Sequence, residues 1–321
     1  MSEKRSRRHP AFWVELVLAL VVVGACAVSI GAVYAPLPGE SLIVDQEWLK
    51  ARLDDPNVLV IDARDLLSYR RSHIPGAVNV GDRDVHDFTG PGGRTLKSPA
   101  ELEAVFRRAG LNQGQTVVVY SDDRSRGMAE RLFFVLEYLG ASDVRVLQGG
   151  FEEWERSGAP VTRDASPVEP GNFTASPRAY MIAGSDRIQS IQRNGDGHII
   201  DVRSFEEYAG SAGSTARLGH IPGAAHLTAD KLFSGRTTPK TAHQMRLVLE
   251  KVWVHTEHPM VVYGNTPIEA AQVYFGLRLI GAQVVSIYEG SWADWAGNES
   301  LPVDSAATTS APVLGVSTTC W

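Results

Sequence analysis

Short apolar runs alternate with amphipathic stretches between residues 41 and 304, and the alternation predicts strands and helices in turn. Residues 58–62, 116–120 and 144–147 are continuous apolar runs, which are typical of strands covered on both faces of a parallel sheet. The amphipathic stretches predict helices over residues 45–53, 98–109 and 126–139. Because strands alternate with helices, we predict an α/β fold in which helices connect the strands of a parallel sheet.

The first 35 residues predict a membrane anchor. A charge-free apolar run of 19 residues, 16–34, follows four basic residues that lie among the first eight. About 20 apolar residues are needed to cross a bilayer as a helix, and basic residues stay on the cytoplasmic side. The sequence therefore predicts a cytoplasmic basic segment at 1–11 and a single-pass transmembrane anchor in the cell (inner) membrane at 12–35. The folded domains would be periplasmic or extracellular.

Two other interpretations of the same residues stay open. The sequence Val23-Gly24-Ala25-Cys26 is compatible with a lipoprotein cleavage site, which would make Cys26 a lipid-carrying N-terminus. A cleaved secretory signal is the other alternative. The flanking charges place the folded domains outside the cytoplasm in all three cases.

Two segments of the chain carry the same sequence words in the same order, which indicates an internal duplication. The matched pairs are 61–64 with 200–203, 73–77 with 220–224, 118–120 with 261–263, and 149–154 with 290–295. Each copy has the length of one ordinary core. We predict a first domain at 41–162, a linker rich in Pro, Ser, Asp and Gly at 163–177, a second domain at 178–304 and a flexible tail at 305–321.

These words give the chain a resemblance to the rhodanese family in its tandem form, typified by thiosulfate and mercaptopyruvate sulfurtransferases. They are a strand that ends in Asp-x-Arg, the sequence His-Ile-Pro-Gly-Ala, a strand that ends in Tyr, and a Gly-x-aromatic-x-x-Trp ending, each present twice. The resemblance covers about residues 41–303 and implies two rhodanese-like domains, each a parallel sheet flanked by helices. Active members have a cysteine directly after that Tyr, and its thiolate carries sulfur as a persulfide.

Most of the repeated side chains are predicted to be structural. In each copy the Asp-x-Arg pair is expected to form an ion pair and hydrogen bonds at the strand end. The histidine of His-Ile-Pro-Gly-Ala is expected to be a turn residue with bonded ring nitrogens. The tryptophans are expected in the core, each with a partner for its indole N–H.

Neither copy has a cysteine at the position that the resemblance assigns to the nucleophile. Gly264 stands there in the second copy and Ser121 in the first. In the second copy Pro267 also withdraws one N–H from the loop, and Glu269 adds negative charge where an anionic donor would dock. We therefore predict a sulfurtransferase-like pseudoenzyme that is non-catalytic and binds a small anion or a protein. Whether the chain is an enzyme stays open at this point.

The candidate substrate-binding residues are four positions of the second-copy loop and one arginine. They are Gly264, Asn265, Thr266, Ile268 and, by resemblance to tandem sulfurtransferases, Arg217, which would pair with an anionic donor. The alternative function is a thiosulfate or mercaptopyruvate sulfurtransferase in which Cys320, or the thiol of a partner, carries the sulfur. An exposed thiol without a neighbouring cation, as we expect for Cys320, reacts sluggishly.

Composition and charge limit the classes of partner that we expect for this chain. The chain has 31 basic and 37 acidic residues and a net charge of −6, so it lacks the broad basic face of a nucleic-acid-binding protein. Its two cysteines, Cys26 and Cys320, are too few for a cysteine-built metal site. We predict no cofactor and no metal, and expect as partners the membrane and either a small sulfur anion or a periplasmic protein.

Overall fold

Two five-stranded parallel sheets form the centre of the molecule. The structure is a computed structural model and describes residues 36–89, 94–235 and 237–305. The strand order is β1-β7-β6-β2-β3 in the first sheet and β8-β12-β11-β9-β10 in the second, and all pairings within the two sheets are parallel. Corresponding strands occupy corresponding places in the two orders. The α/β fold with parallel sheets flanked by helices is therefore confirmed, and so is the duplication.

The described residues of the first domain form seven strands and six helices. The strands are β1 (Ile43–Val44), β2 (Val58–Asp62), β3 (Val78–Asn79), β4 (His86–Asp87), β5 (Thr95–Leu96), β6 (Thr116–Tyr120) and β7 (Asp143–Leu147). The helices are α1 (Gln46–Lys50), α2 (Leu66–Arg71), α3 (Asp82–Val85), α4 (Pro99–Arg108), α5 (Met128–Tyr138) and α6 (Gly150–Arg156). Strands β4 and β5 pair only with each other, as a short antiparallel hairpin beside the sheet.

The second domain repeats the series without that hairpin among its described residues. The strands are β8 (Ile182–Ala183), β9 (His198–Asp201), β10 (Ala224–His226), β11 (Met260–Tyr263) and β12 (Val285–Tyr288). The helices are α7 (Ser185–Asn194), α8 (Phe205–Ala209), α9 (Ala229–Leu232), α10 (Ala242–Lys251), α11 (Pro267–Leu279) and α12 (Ser291–Gly297). Single turns of 3-10 helix precede β1 and β8, at Glu40–Leu42 and Ala179–Met181.

Local chemistry explains where the predicted helices begin and end. Helix α4 begins at the predicted Ser98, whose side chain accepts the Glu101 N–H while the Glu101 carboxylate accepts the Ser98 N–H, a capping box. Helix α5 begins two residues later than predicted, because Gly127 takes φ +85° and turns the loop into the helix. The helix predicted over 45–53 ends at Lys50, and non-helical turns follow.

The two domains share one hydrophobic core. Helices α5 and α11 pack against each other between the sheets, and the rings of Phe133 and Phe275 meet edge to face at 4.8 Å. A bidentate ion pair joins the two domains: Arg131 donates to both carboxylate oxygens of Glu289 at 2.7 Å. The predicted linker is also packed, since Phe173 is buried and the Gly171 N–H donates to the Arg107 carbonyl at 2.8 Å. The domains therefore form one continuous unit.

The predicted anchor and both cysteines lie outside the described residues, as does nearly all of the predicted tail. Within 36–89, 94–235 and 237–305, no helix combines the length and the apolar character that a membrane crossing requires. The membrane anchor at 12–35 therefore stays a prediction.

Candidate functional site

A buried triad of Asp, Arg and Tyr supports the loop at the end of the central strand in the second domain. Arg203 donates from Nε and Nη2 to the Asp201 carboxylate at 3.0 and 2.6 Å. The Tyr263 hydroxyl donates to Asp201 Oδ2 at 2.6 Å and accepts the Ile221 N–H at 3.0 Å. Burial, with the neighbouring Asp201 carboxylate, holds the pKa of Tyr263 well above its usual value, so Tyr263 stays a donor. The predicted ion pair is present and joins β9 to β11.

The first domain has the same triad with nearly the same distances. Arg64 donates to Asp62 at 3.0 and 2.6 Å, and the Tyr120 hydroxyl donates to Asp62 at 2.6 Å. The histidines are turn residues as predicted: Nδ1 of His73 and of His220 each bonds a tyrosine carbonyl in the preceding helix, at 2.8 and 2.7 Å. These side chains hold strand ends and turns together; both ring nitrogens of His73 are bonded, and for His220 the structure gives a bond at Nδ1.

In the second domain a glutamate of the next helix folds back onto the loop that follows β11. Oε2 of Glu269 accepts the Asn265 N–H at 2.9 Å, while Thr266 Oγ1 accepts the Glu269 N–H at 3.4 Å. The Asn265 side chain donates to Glu207 Oε1 at 2.8 Å, and the Gly264 carbonyl accepts the Trp292 N–H at 2.9 Å. The loop's polar groups are thus bonded to one another and to the protein around them.

The carboxylate of Glu269 lies where a side chain at position 264 would begin. A Cβ built on Gly264 would stand 3.0 Å from Glu269 Oε2 and 3.0 Å from Val202 Cγ2, tighter than ordinary van der Waals contact. Burial raises the pKa of Glu269, the Asn265 N–H opposes that shift, and the Glu207 carboxylate adds to it. The loop therefore has no cysteine, and the Glu269 carboxylate lies against its backbone.

The structure brings only some of the predicted substrate-binding residues together. Asn265 and Thr266 line a cavity of about 800 Å³ together with the acidic residues Glu289, Asp294 and Glu299. Ile268 faces another cavity, which belongs mainly to the first domain. The binding roles assigned to these residues stay predictions.

The Arg217 guanidinium bonds backbone carbonyls of the second domain. Its Nε donates to the Ala296 carbonyl at 2.8 Å, Nη1 to the Leu301 carbonyl at 2.7 Å and Nη2 to the Trp295 carbonyl at 2.8 Å. The guanidinium thus satisfies carbonyls at the C-terminal end of α12, where a cation is also favoured by the helix dipole. All three nitrogens are engaged with backbone, and an anionic donor would have to displace these bonds.

The corresponding loop of the first domain, residues 121–127, borders a wide cleft of about 920 Å³. Its first residue, Ser121, is buried, and Ser121 Oγ has no hydrogen-bond partner among the described residues. Arg124 and Arg126, by contrast, are exposed and line the cleft. The sequence pattern did not predict this cleft, and its one signal in the sequence is the pair of closely spaced arginines in the loop.

A family model described as "Rhodanese-like domain" matches the chain twice, over residues 45–157 and 185–298. The chain is 30% identical to the sulfur carrier protein TtuD of Thermus thermophilus over 277 residues, 82% of this chain and 96% of the relative. It is 31% identical to a thiosulfate sulfurtransferase of Corynebacterium glutamicum, covering 83% and 91% of the two chains. With the 3-mercaptopyruvate sulfurtransferase of Escherichia coli it shares 26% identity, covering 81% and 97%.

A solved structure has the same fold. The anaerobic ergothioneine biosynthesis enzyme of Chlorobium limicola, in complex with trimethyl histidine, superposes with a TM-score of 0.75 at 23% identity. The match covers 84% of this chain and 71% of the other. At this level of identity the likeness extends to the fold alone.

Proposed function

Because the chain belongs to the family of rhodanese-like domain proteins, as a tandem member related to sulfurtransferases, we propose that it is a non-catalytic member that works as a binding module. Its ligand is a small anion or another protein. The module is tethered by residues 12–35 to the cell membrane, with its N-terminus in the cytoplasm and both domains outside, as the charge-free run and the basic residues before it indicate.

The geometry of Glu269 carries the proposal. Sulfur transfer in this family needs a thiolate directly after the strand, and the position holds Gly264. The Glu269 carboxylate stands 3.0 Å from the point where a side chain would start and takes the Asn265 N–H, one of the amides that an anion would use. A negative charge there raises the pKa of any thiol and repels an anionic donor. The loop is therefore better suited to holding a fixed conformation than to sulfur transfer.

The alternative is a sulfur carrier that uses Cys320, or a partner's thiol, in place of the missing residue. The observation that favours it is the similarity to a protein named as a sulfur carrier. Cys320 is one of only two cysteines in the chain. A sulfane sulfur carried by the chain itself must therefore sit on Cys320 or Cys26.

Intact mass spectrometry separates the two functions. The full-length chain, its Cys320→Ser variant and its Cys26→Ser variant are each incubated with thiosulfate or 3-mercaptopyruvate, and a thiosulfate sulfurtransferase serves as the positive control. We expect no added sulfur on any form of this chain. An added sulfur that disappears only in Cys320→Ser, and that passes to an acceptor, would overturn the non-catalytic proposal and establish the carrier.

A further inference from the structure

The cleft beside the first domain's loop combines an apolar wall with a group of arginines. It lies at the carboxyl ends of β2, β3 and β6, the end at which α/β sheets bind ligands. Phe88, Met128 and Ile268 line it with apolar surface, so both domains contribute. Its volume of about 920 Å³ is within the range of small-molecule sites.

Of the four arginines that line this cleft, one has an ion-pair partner among the described residues. Arg83, Arg124 and Arg126 line the cleft and form no ion pair among the described residues. Arg94 bonds Asp82 through Nη2 at 2.6 Å and lies over the Phe88 ring at 5.2 Å, but its buried Nε has no hydrogen-bond partner in the described part of the chain. A guanidinium with free N–H groups is suited to a carboxylate, sulfonate or phosphate.

The acidic residues of the cleft are already engaged. Asp65 caps α2, accepting the Leu67 and Ser68 N–H groups at 3.0 Å. Asp84 accepts the Gly81 N–H at 2.8 Å. Asp82 is bonded to both His86 Nδ1 and Arg94 at 2.6 Å. These carboxylates hold the cleft's own backbone and side chains in place, so Arg124 and Arg126 remain available to a ligand.

We propose that this cleft binds an organic anion: its acidic group pairs with Arg124 and Arg126, and its apolar part packs against Phe88, Met128 and Ile268. The inference rests on the proposed function as a binding module, to which it adds a place and a ligand class. It puts the ligand mainly against the first domain, and Ile268 is the one lining residue that the second domain contributes. An inorganic anion makes only the arginine contacts, whereas an aromatic one also buries apolar surface and so binds more tightly.

Calorimetric titration of the full-length chain tests the site. The probes are phenyl phosphate and inorganic phosphate, and a protein-free blank is subtracted. We expect phenyl phosphate to bind with one site per chain, at least about fivefold more tightly than inorganic phosphate. The double variant Arg124→Ala/Arg126→Ala is expected to weaken phenyl phosphate at least about tenfold, since two charge-assisted contacts are lost.

A matched control variant tests whether the loss of affinity is specific to the two cleft arginines. Arg70→Ala/Arg193→Ala removes the same charge from two exposed arginines outside the cleft, and we expect it to leave the affinity unchanged. No saturable binding of phenyl phosphate, or an equal loss in both double variants, overturns the site. Equal affinities for the two phosphates overturn the apolar half of the proposal. These outcomes are independent of the persulfide experiment, which tests the missing chemistry of the second-domain loop.

Discussion

The loops that follow β6 and β11 start from the same buried triad but present different surfaces. In the first domain seven residues, 121–127, separate the strand from α5, and they carry Arg124 and Arg126 to the rim of a wide cleft. In the second domain three residues, 264–266, suffice before α11 begins, so Glu269 in its first turn lies back against the loop. The first loop therefore presents two exposed arginines to an open cleft, while the second lies against the Glu269 carboxylate.

This difference shows that the repeated sequence motifs of the family indicate the fold and do not by themselves indicate the activity. Asp201 and Tyr263 join two neighbouring strands and an N–H of the following turn, and they do so whether or not a nucleophile follows. Losing the cysteine removes no contact of the triad. The scaffold is therefore retained in both copies, while the loops above it are free to diverge.

The largest expected effect comes from removing the shared scaffold. Asp62→Ala and Asp201→Ala each leave a buried arginine, 3% exposed, without its carboxylate. Breaking a buried ion pair in this way costs about 3–5 kcal/mol of unfolding free energy. We expect similar losses from the two variants in urea denaturation, because the two triads have matching geometry.

An exposed carboxylate provides the control for that experiment. Asp230 pairs with Lys231 at the surface, where such pairs contribute at most about 1 kcal/mol. Asp230→Ala should therefore change stability little. A loss confined to one of the two triad variants would show that the copies are not equivalent, and would contradict the common scaffold.

A second prediction concerns the effect of Glu269 on a thiol placed at position 264. Gly264→Cys restores the thiol but places its Cβ against Glu269 Oε2, whose charge also disfavours the thiolate. Removing that carboxylate in Gly264→Cys/Glu269→Ala relieves both effects. We expect persulfide formation from thiosulfate to be at least about tenfold faster in the double variant than in the single one, equivalent to about 1.4 kcal/mol.

The comparison needs Glu269→Ala alone as a control, since it reports any effect of the glutamate on folding. Equal rates in the single and double cysteine variants would show that Glu269 does not restrain the loop. Ser121→Cys extends the comparison to the first domain, whose loop is seven residues long where that of the second domain has three.

Alanine substitutions at the equivalent positions 121 and 264 are expected to change stability in opposite directions. Ser121→Ala removes a buried hydroxyl that has no partner among the described residues, and should raise stability by up to about 1 kcal/mol. Gly264→Ala inserts a Cβ at 3.0 Å from Glu269 and Val202, and should lower it by about 1 kcal/mol. Both are measured by urea denaturation. The same sign at both positions would contradict the different packing of the two loops.

The sequence predicts the scaffold better than it predicts the loops. Strands β2 and β6 have the predicted bounds, because a strand covered on both faces must be apolar throughout. The Asp-Arg ion pairs were predicted, because the paired residues lie two positions apart at the end of one strand, but the tyrosine hydroxyl that completes each triad was not. The negative charge that Glu269 adds to its loop was also predicted, from its nearness in sequence.

What the sequence does not predict depends on contacts between distant segments. The partners of Arg217 are backbone carbonyls near residue 296, and no sequence pattern links a side chain to such groups. The cleft of the first domain likewise needs Phe88 and Arg94, which come from the β4–β5 hairpin, and Ile268, which comes from the other domain. Only the folded chain brings these three together.

The smallest expected effect concerns pH and compares two glutamates with the same helical position. Glu269 and Glu101 are both third residues of a capped helix, in α11 and α4. Burial raises the pKa of Glu269, whereas the hydrogen bond from the Ser98 hydroxyl lowers the pKa of exposed Glu101. The stability that Glu269 contributes is therefore present below its usual pKa of about 4.3 and is lost as pH rises through its folded-state pKa.

For Glu101 the sign is reversed: its contribution is present above the usual pKa and is lost as pH falls. As pH rises from about 4 to 7, Glu269→Gln should therefore gain in stability relative to the parent chain, whereas Glu101→Gln should lose relative to it as pH rises toward the usual pKa of about 4.3. Urea denaturation at several pH values measures both slopes. The two residues share a capping position, so opposite slopes identify the burial of Glu269 as the cause. That burial distinguishes the loop after β11 from the loop after β6.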